Sequence, residues 1–413
     1  MTATTIFYLF IIFISIEFII DKYLDWLNAK HFSDAIPYRL KDIFNEEEYQ
    51  KSQQYQYANY RFSNLSSILS FIGILLVLSF KGFGYLDKYV QTLSSNQLVQ
   101  SLLFFGILLV LGSILSLPFE YYKTFIIEEK FGFNKSTKRL FFTDWVKGIL
   151  LNLILTGVLA SIIIWIYQKT GKNFWWYGLI VMSVFMLVIN MFYTSLIVPI
   201  FNKLKPLEEG ELKNKLKNLA EKVNYNLDKI FVIDGSKRSS KANAYFSGFG
   251  PKKKVVLYDT LIEDLSPSEI TAVLAHEIGH YKKKHIIFNL FLSIFTTAIM
   301  LFLLSLLIDN KNMAFALGAN RTSFHIGIIA FGLLFTPISF ILGIFTNYIS
   351  RKFEYQADNF AKKYANADDL VKGLKKLSKK SLSNLTPHPW YVFVHYSHPD
   401  LSRRISNLYL KIN

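Results

Sequence analysis

Ser266-Pro267-Ser268-Glu269-Ile270-Thr271-Ala272-Val273-Leu274-Ala275-His276-Glu277-Ile278-Gly279-His280 is the stretch on which the fold turns. Ser266 reads as an N-cap, Pro267 as the first helical residue and Glu269 as the reciprocal partner of a capping box, so a helix starts here. On a helix, residues i and i+4 share a face, and the imidazoles of His276 and His280 can therefore point at one metal ion. Glu277, one position round, can reach a water bound to that ion. This is the arrangement of a zinc peptidase. A solvated surface helix is the plain alternative, and the scarcity of histidine, eight in 413 residues, weighs against it. A catalytic zinc takes three protein ligands and leaves a position open for water, so a third ligand is expected elsewhere in the chain. Cysteine is absent, which leaves only histidine and carboxylate to hold a metal.

Working outward, the chain is too apolar for an ordinary soluble enzyme: 52% of its residues are hydrophobic, 16% are aromatic and the mean hydropathy is +0.27. Seven apolar stretches approach or exceed the length needed to cross a bilayer, at roughly residues 5–20, 65–80, 98–117, 149–167, 174–200, 286–308 and 325–349. The first carries Glu17 and lacks a basic leader and a small-residue cleavage site, so it reads as a retained span. The formal net charge of +16 follows the loops. Loops one, three and five and the C-terminal tail are crowded with Lys and Arg, whereas loop two holds Lys81 and Lys88, loop four Lys169 and Lys172, and loop six Lys311 and Arg321. This is the positive-inside pattern for seven spans, with the N-terminus outside and the C-terminus in the cytosol. The cations thus report orientation and contact with anionic lipid. No zinc-finger, RNP or helix-turn-helix pattern supports nucleic-acid binding.

Two polar regions interrupt the spans, dividing the chain into residues 1–200, 201–285, 286–349 and 350–413. The first polar region holds a charged helical stretch, Leu207 to Val223, and two strand-like runs, Lys229 to Ile233 and Lys254 to Tyr258. Between the strands lies a basic segment running from Gly235 to Phe246. A short sheet beside the metal helix is expected, with an edge on which an extended substrate can add itself as a strand. A plain hairpin with a basic loop is the alternative. In the second polar region, Ser350-Arg351-Lys352-Phe353-Glu354-Tyr355-Gln356-Ala357-Asp358 continues an apolar span without a Pro or Gly break. Glu354 is the candidate third ligand, and Asp358, one turn on, could accept a hydrogen bond from the non-coordinating nitrogen of a ligand histidine. The same spacing suits a surface helix with an acidic face. His325, at the start of a span, and His285, just before another, read as interfacial residues, and neither these two nor His388 and His395 are expected to touch the metal.

Taken together, His276-Glu277-Ile278-Gly279-His280, the block from Glu354 to Asp358, Ser236-Lys237-Arg238-Ser239-Ser240 with Asn243-Ala244-Tyr245-Phe246, the block from Ile127 to Asn134, and His395-Tyr396-Ser397-His398-Pro399 resemble the type 1 CAAX prenyl proteases. These are integral membrane zinc endopeptidases. The resemblance implies one zinc per chain, bound by His276, His280 and Glu354, with Glu277 as general base. It implies that Asn243, with Ala244 beside it, meets the substrate main chain, and that His398 assists the scissile carbonyl. It implies a mainly α fold in which seven transmembrane helices enclose an intramembrane chamber beside a small α+β zincin-like domain. Asp400 stands where a second Pro is usual, and Arg403 replaces a Glu before Arg404. The expected substrate is a peptide or protein with a CAAX-type C-terminus, prenylated or not. General quality-control proteolysis in the membrane is the rival activity, and a non-enzymatic transporter has no use for Glu277. The richness in Ile, Lys, Asn and Phe points to a bacterial inner membrane, with the endoplasmic reticulum as the alternative and the active site facing the cytosol in either case.

Overall fold

A backbone inside hydrocarbon must satisfy its own N–H and C=O groups, and helices do so within one segment. The computed structural model describes residues 1–227, 229–247 and 254–410. Its first half is helical throughout: α1 (Ala3–Lys30), α2 (Glu46–Ser79), α3 (Gly82–Leu93), α4 (Gln97–Tyr122), a π-helical turn at Lys123–Glu128, α5 (Lys138–Thr170), α6 (Phe174–Phe192) and the short α7 (Val198–Phe201). A mixed polar unit follows: β1 (Leu204–Pro206), α8 (Glu211–Lys222), β2 (Ile230–Ile233), β3 (Ala244–Ser247), β4 (Lys254–Tyr258), α9 (Asp259–Asp264) and α10 (Pro267–Lys282). The chain returns to apolar helix in α11 (His285–Leu307), passes through α12 (Lys311–Ala316), and enters the 41-residue α13 (Phe324–Tyr364). Three polar helices close it: α14 (Ala367–Lys380), α15 (Pro389–His395) and α16 (Leu401–Tyr409).

Among the described residues, six stretches are long and apolar enough to cross a membrane. The sequence reading expects seven. The difference lies in Lys138–Phe201, a 64-residue stretch that holds both α5 and α6, separated only by a 3-10 turn at Gly171–Asn173 where Gly171 takes φ +54. Such a positive φ is open to glycine at no steric cost. The apolar windows of the six stretches are only 6–22% buried. Apart from a small cluster at Val198, Ile233 and Val256, the buried residues instead gather in two large clusters. One joins Phe10, Leu78, Phe104, Phe174, Leu304 and Phe331 where the apolar helices meet at one end. The other, at the opposite end, packs α8, α10, α14 and α16 under the sheet around Leu216, Val255, Leu274, Ile278 and Ile405.

The sheet has the order β1-β2-β4-β3, and β2 pairs parallel to β4 in the register Ile230↔Val255 through Ile233↔Tyr258. The two strand-like runs are therefore not a hairpin. Between them the chain makes β3, which pairs antiparallel with β4 (Ala244↔Leu257) and leaves its other side at the sheet edge. β1 and β3 escape a periodicity reading because three or four residues are too few to show alternation, and β1 includes Pro206. The expected charged helix begins at Glu211 instead of Leu207.

Candidate metal centre and peptide cleft

Helix α10 forms for the local reasons its sequence declares. Ser266 Oγ accepts from the Glu269 N–H, the Glu269 carboxylate accepts from the Ser266 N–H at 2.8 Å, and Pro267 occupies the first turn. Ile270, Leu274 and Ile278 bury the opposite face, which turns His276, Glu277 and His280 toward α13. Gly279 sets how closely the two helices meet. A Cβ there would lie 3.0 Å from the Phe360 Cβ and 3.1–3.2 Å from Ala357 backbone atoms, tighter than ordinary contact. Because α13 continues unbroken out of its apolar half, it carries Glu354 and Asp358 past that crossing point.

The result is a convergence of donor atoms. His276 Nε2 and His280 Nε2 are 3.2 Å apart, His280 Nε2 is 3.2 Å from Glu354 Oε1, and His276 Nε2 is 3.5 Å from Glu354 Oε2. An ion bound tetrahedrally at ordinary zinc distances would separate its ligand atoms by about 3.4 Å. Glu354 is buried, and its Oε2 accepts no hydrogen bond: it meets only Arg404 Nη1 at 3.4 Å and His276 Nε2 at 3.5 Å. The Arg404 guanidinium offsets part of the charge of this carboxylate without hydrogen-bonding Oε2, which leaves a buried oxygen short of a close partner; with two imidazole nitrogens converging on the same carboxylate, the donor set fits a metal. Among the described residues these three form the group whose ligand atoms lie within 4.8 Å of one another.

The supporting contacts are as specific. Asp358, fully buried, sits 2.8 Å from His276 Nδ1 and is itself clamped by Arg404, whose Nη2 and Nε donate at 2.6 and 3.0 Å. Helix α16 delivers Arg404, and Asp400, the residue that departs from the usual Pro, caps that helix by accepting from the Arg403 N–H at 3.0 Å. His398 precedes the cap, with its Nε2 3.3 Å from Glu354 Oε1 and its imidazole 61% exposed. His285 departs from its expected place at the interface. Lys284, in the left-handed region at φ 62, turns the chain sharply after α10, so that His285 Nδ1 lies 3.1 Å from His280 Nδ1 and its Nε2 lies 2.9 Å from Gln356 Oε1. Its ring stacks on Phe353 at 4.0 Å. If His280 turns Nε2 to an ion, its Nδ1–H donates to His285 and the His285 Nε2–H donates to Gln356. Neither His285 nor Arg404 stands out by spacing, since the partners of Arg404 lie 46 residues away or more. A second histidine five residues after His280 was the available signal. His325 lies elsewhere, bonded to Asp87 and Ser101 at 2.8 and 2.9 Å. His395 lies 3.7 Å from Asp21, and His388 caps α15.

A cavity of ≈ 320 Å³ opens over these groups, lined by Asn243, Ala244, His276, Glu277, Glu354 and His398 among others. Asn243 holds its own turn, accepting the Ala244 N–H on Oδ1 at 2.8 Å and the Tyr258 N–H on its carbonyl at 3.1 Å. The edge strand β3 thus begins at the cavity. Its lead-in is anchored: Lys241 donates to Glu128 and to Tyr55 at 2.8 and 2.9 Å, and Arg238 grips Asp144 at 2.7 and 3.0 Å. Two of the blocks that carried the resemblance meet here, where Asn134 bridges Ser239 and the Ser240 N–H donates to the Phe133 carbonyl.

Comparison with known proteins places this geometry. Residues 25–203 match the family model described as CAAX prenyl protease N-terminal, five membrane helices, and residues 206–410 match peptidase family M48. CAAX prenyl protease 1 of Saccharomyces cerevisiae is 35% identical over 95% of this chain and 92% of its own. The human CAAX prenyl protease 1 homolog is 32% identical over 90% and 88%. The crystal structure of S. mikatae Ste24p superposes with a TM-score of 0.94 at 34% identity, covering 98% of this chain and 99% of that one.

Proposed function

The chain belongs to the type 1 CAAX prenyl protease family of peptidase family M48, and from that we propose that it holds one zinc ion between His276, His280 and Glu354 and cuts peptide bonds near the C-terminus of CAAX-type proteins. It is a multi-pass membrane metallopeptidase with a peptide or protein substrate. The observation that carries the finer reading is the convergence of three donor atoms at 3.2–3.5 Å beside Glu277 and an open strand edge. A bound zinc would supply Lewis-acid polarisation of the scissile carbonyl and of a water.

The protein's own groups do the rest. Glu277 takes the proton of the attacking water and returns it to the departing amine. His398 donates a hydrogen bond to the carbonyl oxygen as negative charge gathers there. Asn243 and Ala244 meet the substrate main chain as it extends along β3. Asp358 holds the proton on His276 Nδ1, leaving the Nε2 lone pair free, and Arg404 balances the charge of Asp358. On the larger scale, the 64-residue stretch reads as two crossings, which makes seven. Slight burial of the spans and cores confined to their two ends favour a chamber between them. The cation-rich loops favour a cytosolic location for the sheet, α10 and the C-terminal segment, and a division at residues 1–200, 201–285, 286–349 and 350–413.

The test is a cleavage assay with the purified full chain on a farnesylated CAAX peptide, its unprenylated twin and an unfolded membrane protein. Zinc-dependent cleavage that prefers the farnesylated end is expected, while equal cleavage of all three favours general quality-control proteolysis. Glu277→Gln is expected to keep about one metal per chain and to lose roughly 10²- to 10⁴-fold in turnover. Near wild-type activity in that variant would refute the assignment.

A further inference from the structure

A second cavity, ≈ 550 Å³ in volume, lies between α2, α4 and the π-helical turn, apart from the residues of the peptide cleft. Its walls are aromatic and aliphatic: Phe62 of α2 stacks on Tyr122 of α4 with ring centroids 5.5 Å apart, and Phe119 lies 6.4 Å from Phe62. Pro118 has no N–H to give the helical ladder, and the π-helical turn widens the backbone just after it. Both features bend or bulge a helix, and here they accompany a cleft between α4 and α2.

Two cations line the cleft, Arg61 and Lys130, both exposed. Neither forms an ion pair among the described residues, whereas nearby Arg238 and Lys241 are committed to Asp144 and Glu128. Their height follows from the sequence. Arg61 comes four residues before the apolar stretch that opens near residue 65, and Lys130 comes two residues after the end of the span-length helical stretch Gln97–Glu128. Both therefore stand at the cation-rich end of the spans, at the level of the headgroups. Leu65 and Ile126, exposed at 57% and 48%, continue the cleft as apolar surface.

A diffuse attraction of loop cations to the membrane needs no cleft. A cleft with fixed cations at headgroup level and aromatic walls beneath them matches one particular shape: an anion joined to an aliphatic chain. Basic pockets between transmembrane helices on the cytoplasmic side recognise anionic headgroups on this basis. We propose that this cleft binds one anionic phospholipid, its phosphate between Arg61 and Lys130 and an acyl chain along Phe62, Leu65 and Phe119. The site is independent of the reaction assigned above.

Native mass spectrometry of the full chain tests it, after release from phosphatidylcholine nanodiscs doped with phosphatidylglycerol at roughly one lipid in five. The wild type is expected to retain one phosphatidylglycerol under conditions that strip phosphatidylcholine. Retention should fall roughly thirty-fold in R61Q/K130Q, which loses two cations at an anionic headgroup. It should be unchanged in K169Q/K172Q, which removes the same charge from a different loop. Ala58→Trp fills the cleft without altering charge and should lose the lipid as well, so it carries the test if the double variant does not fold. Equal retention of the two lipids, wild-type retention in R61Q/K130Q and in A58W, or an equal loss in K169Q/K172Q would overturn the site. So would one-for-one displacement of the lipid by a farnesylated peptide, which assigns the cleft to a substrate chain.

Discussion

His276 and His280 turn the same kind of atom toward the site but lean on different supports. His276 is backed by the charged Asp358 and His280 by the neutral ring of His285. A carboxylate raises the basicity of the ligand it supports and fixes its tautomer, and loss of such a partner typically costs 10–100-fold in metal affinity. Asp358→Asn is expected near the upper end of that range. His285→Phe, which can preserve the stacking on Phe353 while removing the acceptor, is expected near the lower end. Chelator competition measures both, and the visible spectrum of the cobalt-substituted protein separates a changed ligand field from a general loss of fold. Unchanged affinity and spectrum in His285→Phe would remove His285 from the site. The pH dependence follows from His276. Without an ion, burial pulls its pKa down, but hydrogen bonds to Asp358 and Glu354 outweigh that and raise it to about 9. Since the folded value lies above the ordinary one near 6.5, the ion-free protein gains stability from this group at low pH and loses it as pH rises through about 9. Metal binding has the opposite sign, because the ion must displace that proton. Affinity is expected to rise about tenfold per pH unit between pH 7 and 9 and then to level off, with proton release visible by calorimetry in buffers of differing ionisation enthalpy.

At the scale of elements, the crossing of α10 and α13 decides whether a metal site exists. Gly279 permits that crossing, so Gly279→Ala tests the packing without touching a ligand. A methyl placed 3.0–3.2 Å from Phe360 and the Ala357 backbone must push α13 away. Overpacking of this kind costs about 1–3 kcal/mol and here displaces Glu354 from the histidines. Reduced metal content together with a lower unfolding temperature is expected, and full metal content would show that the crossing tolerates the methyl group. The elements also show what was legible beforehand. The start of helix α10 could be placed to the residue from Ser266, Pro267 and Glu269, because capping is settled within four residues of sequence. The edge strand β3 could not, because a four-residue strand exists only through its partner β4.

Across the whole molecule, charge and hydropathy set orientation, and the absence of cysteine makes orientation easy to measure. A single cysteine at Lys172 or at Lys363, both exposed, should react with a membrane-impermeant maleimide from opposite sides of sealed vesicles. Labelling of both from the same side would overturn the positive-inside reading. Spans, their flanking cations and the metal helix were open to inspection in the linear chain, because each is written in consecutive residues with a period or a cap. The meeting of Glu354, Asp358, His285 and Arg404 around His276 and His280 was decided only by the tertiary structure. Those contacts span from five to 128 residues of chain, and no local rule selects among the many carboxylates and cations that could have filled them. Close packing of α13 on α10, and of α16 on α13 and α14, makes that selection.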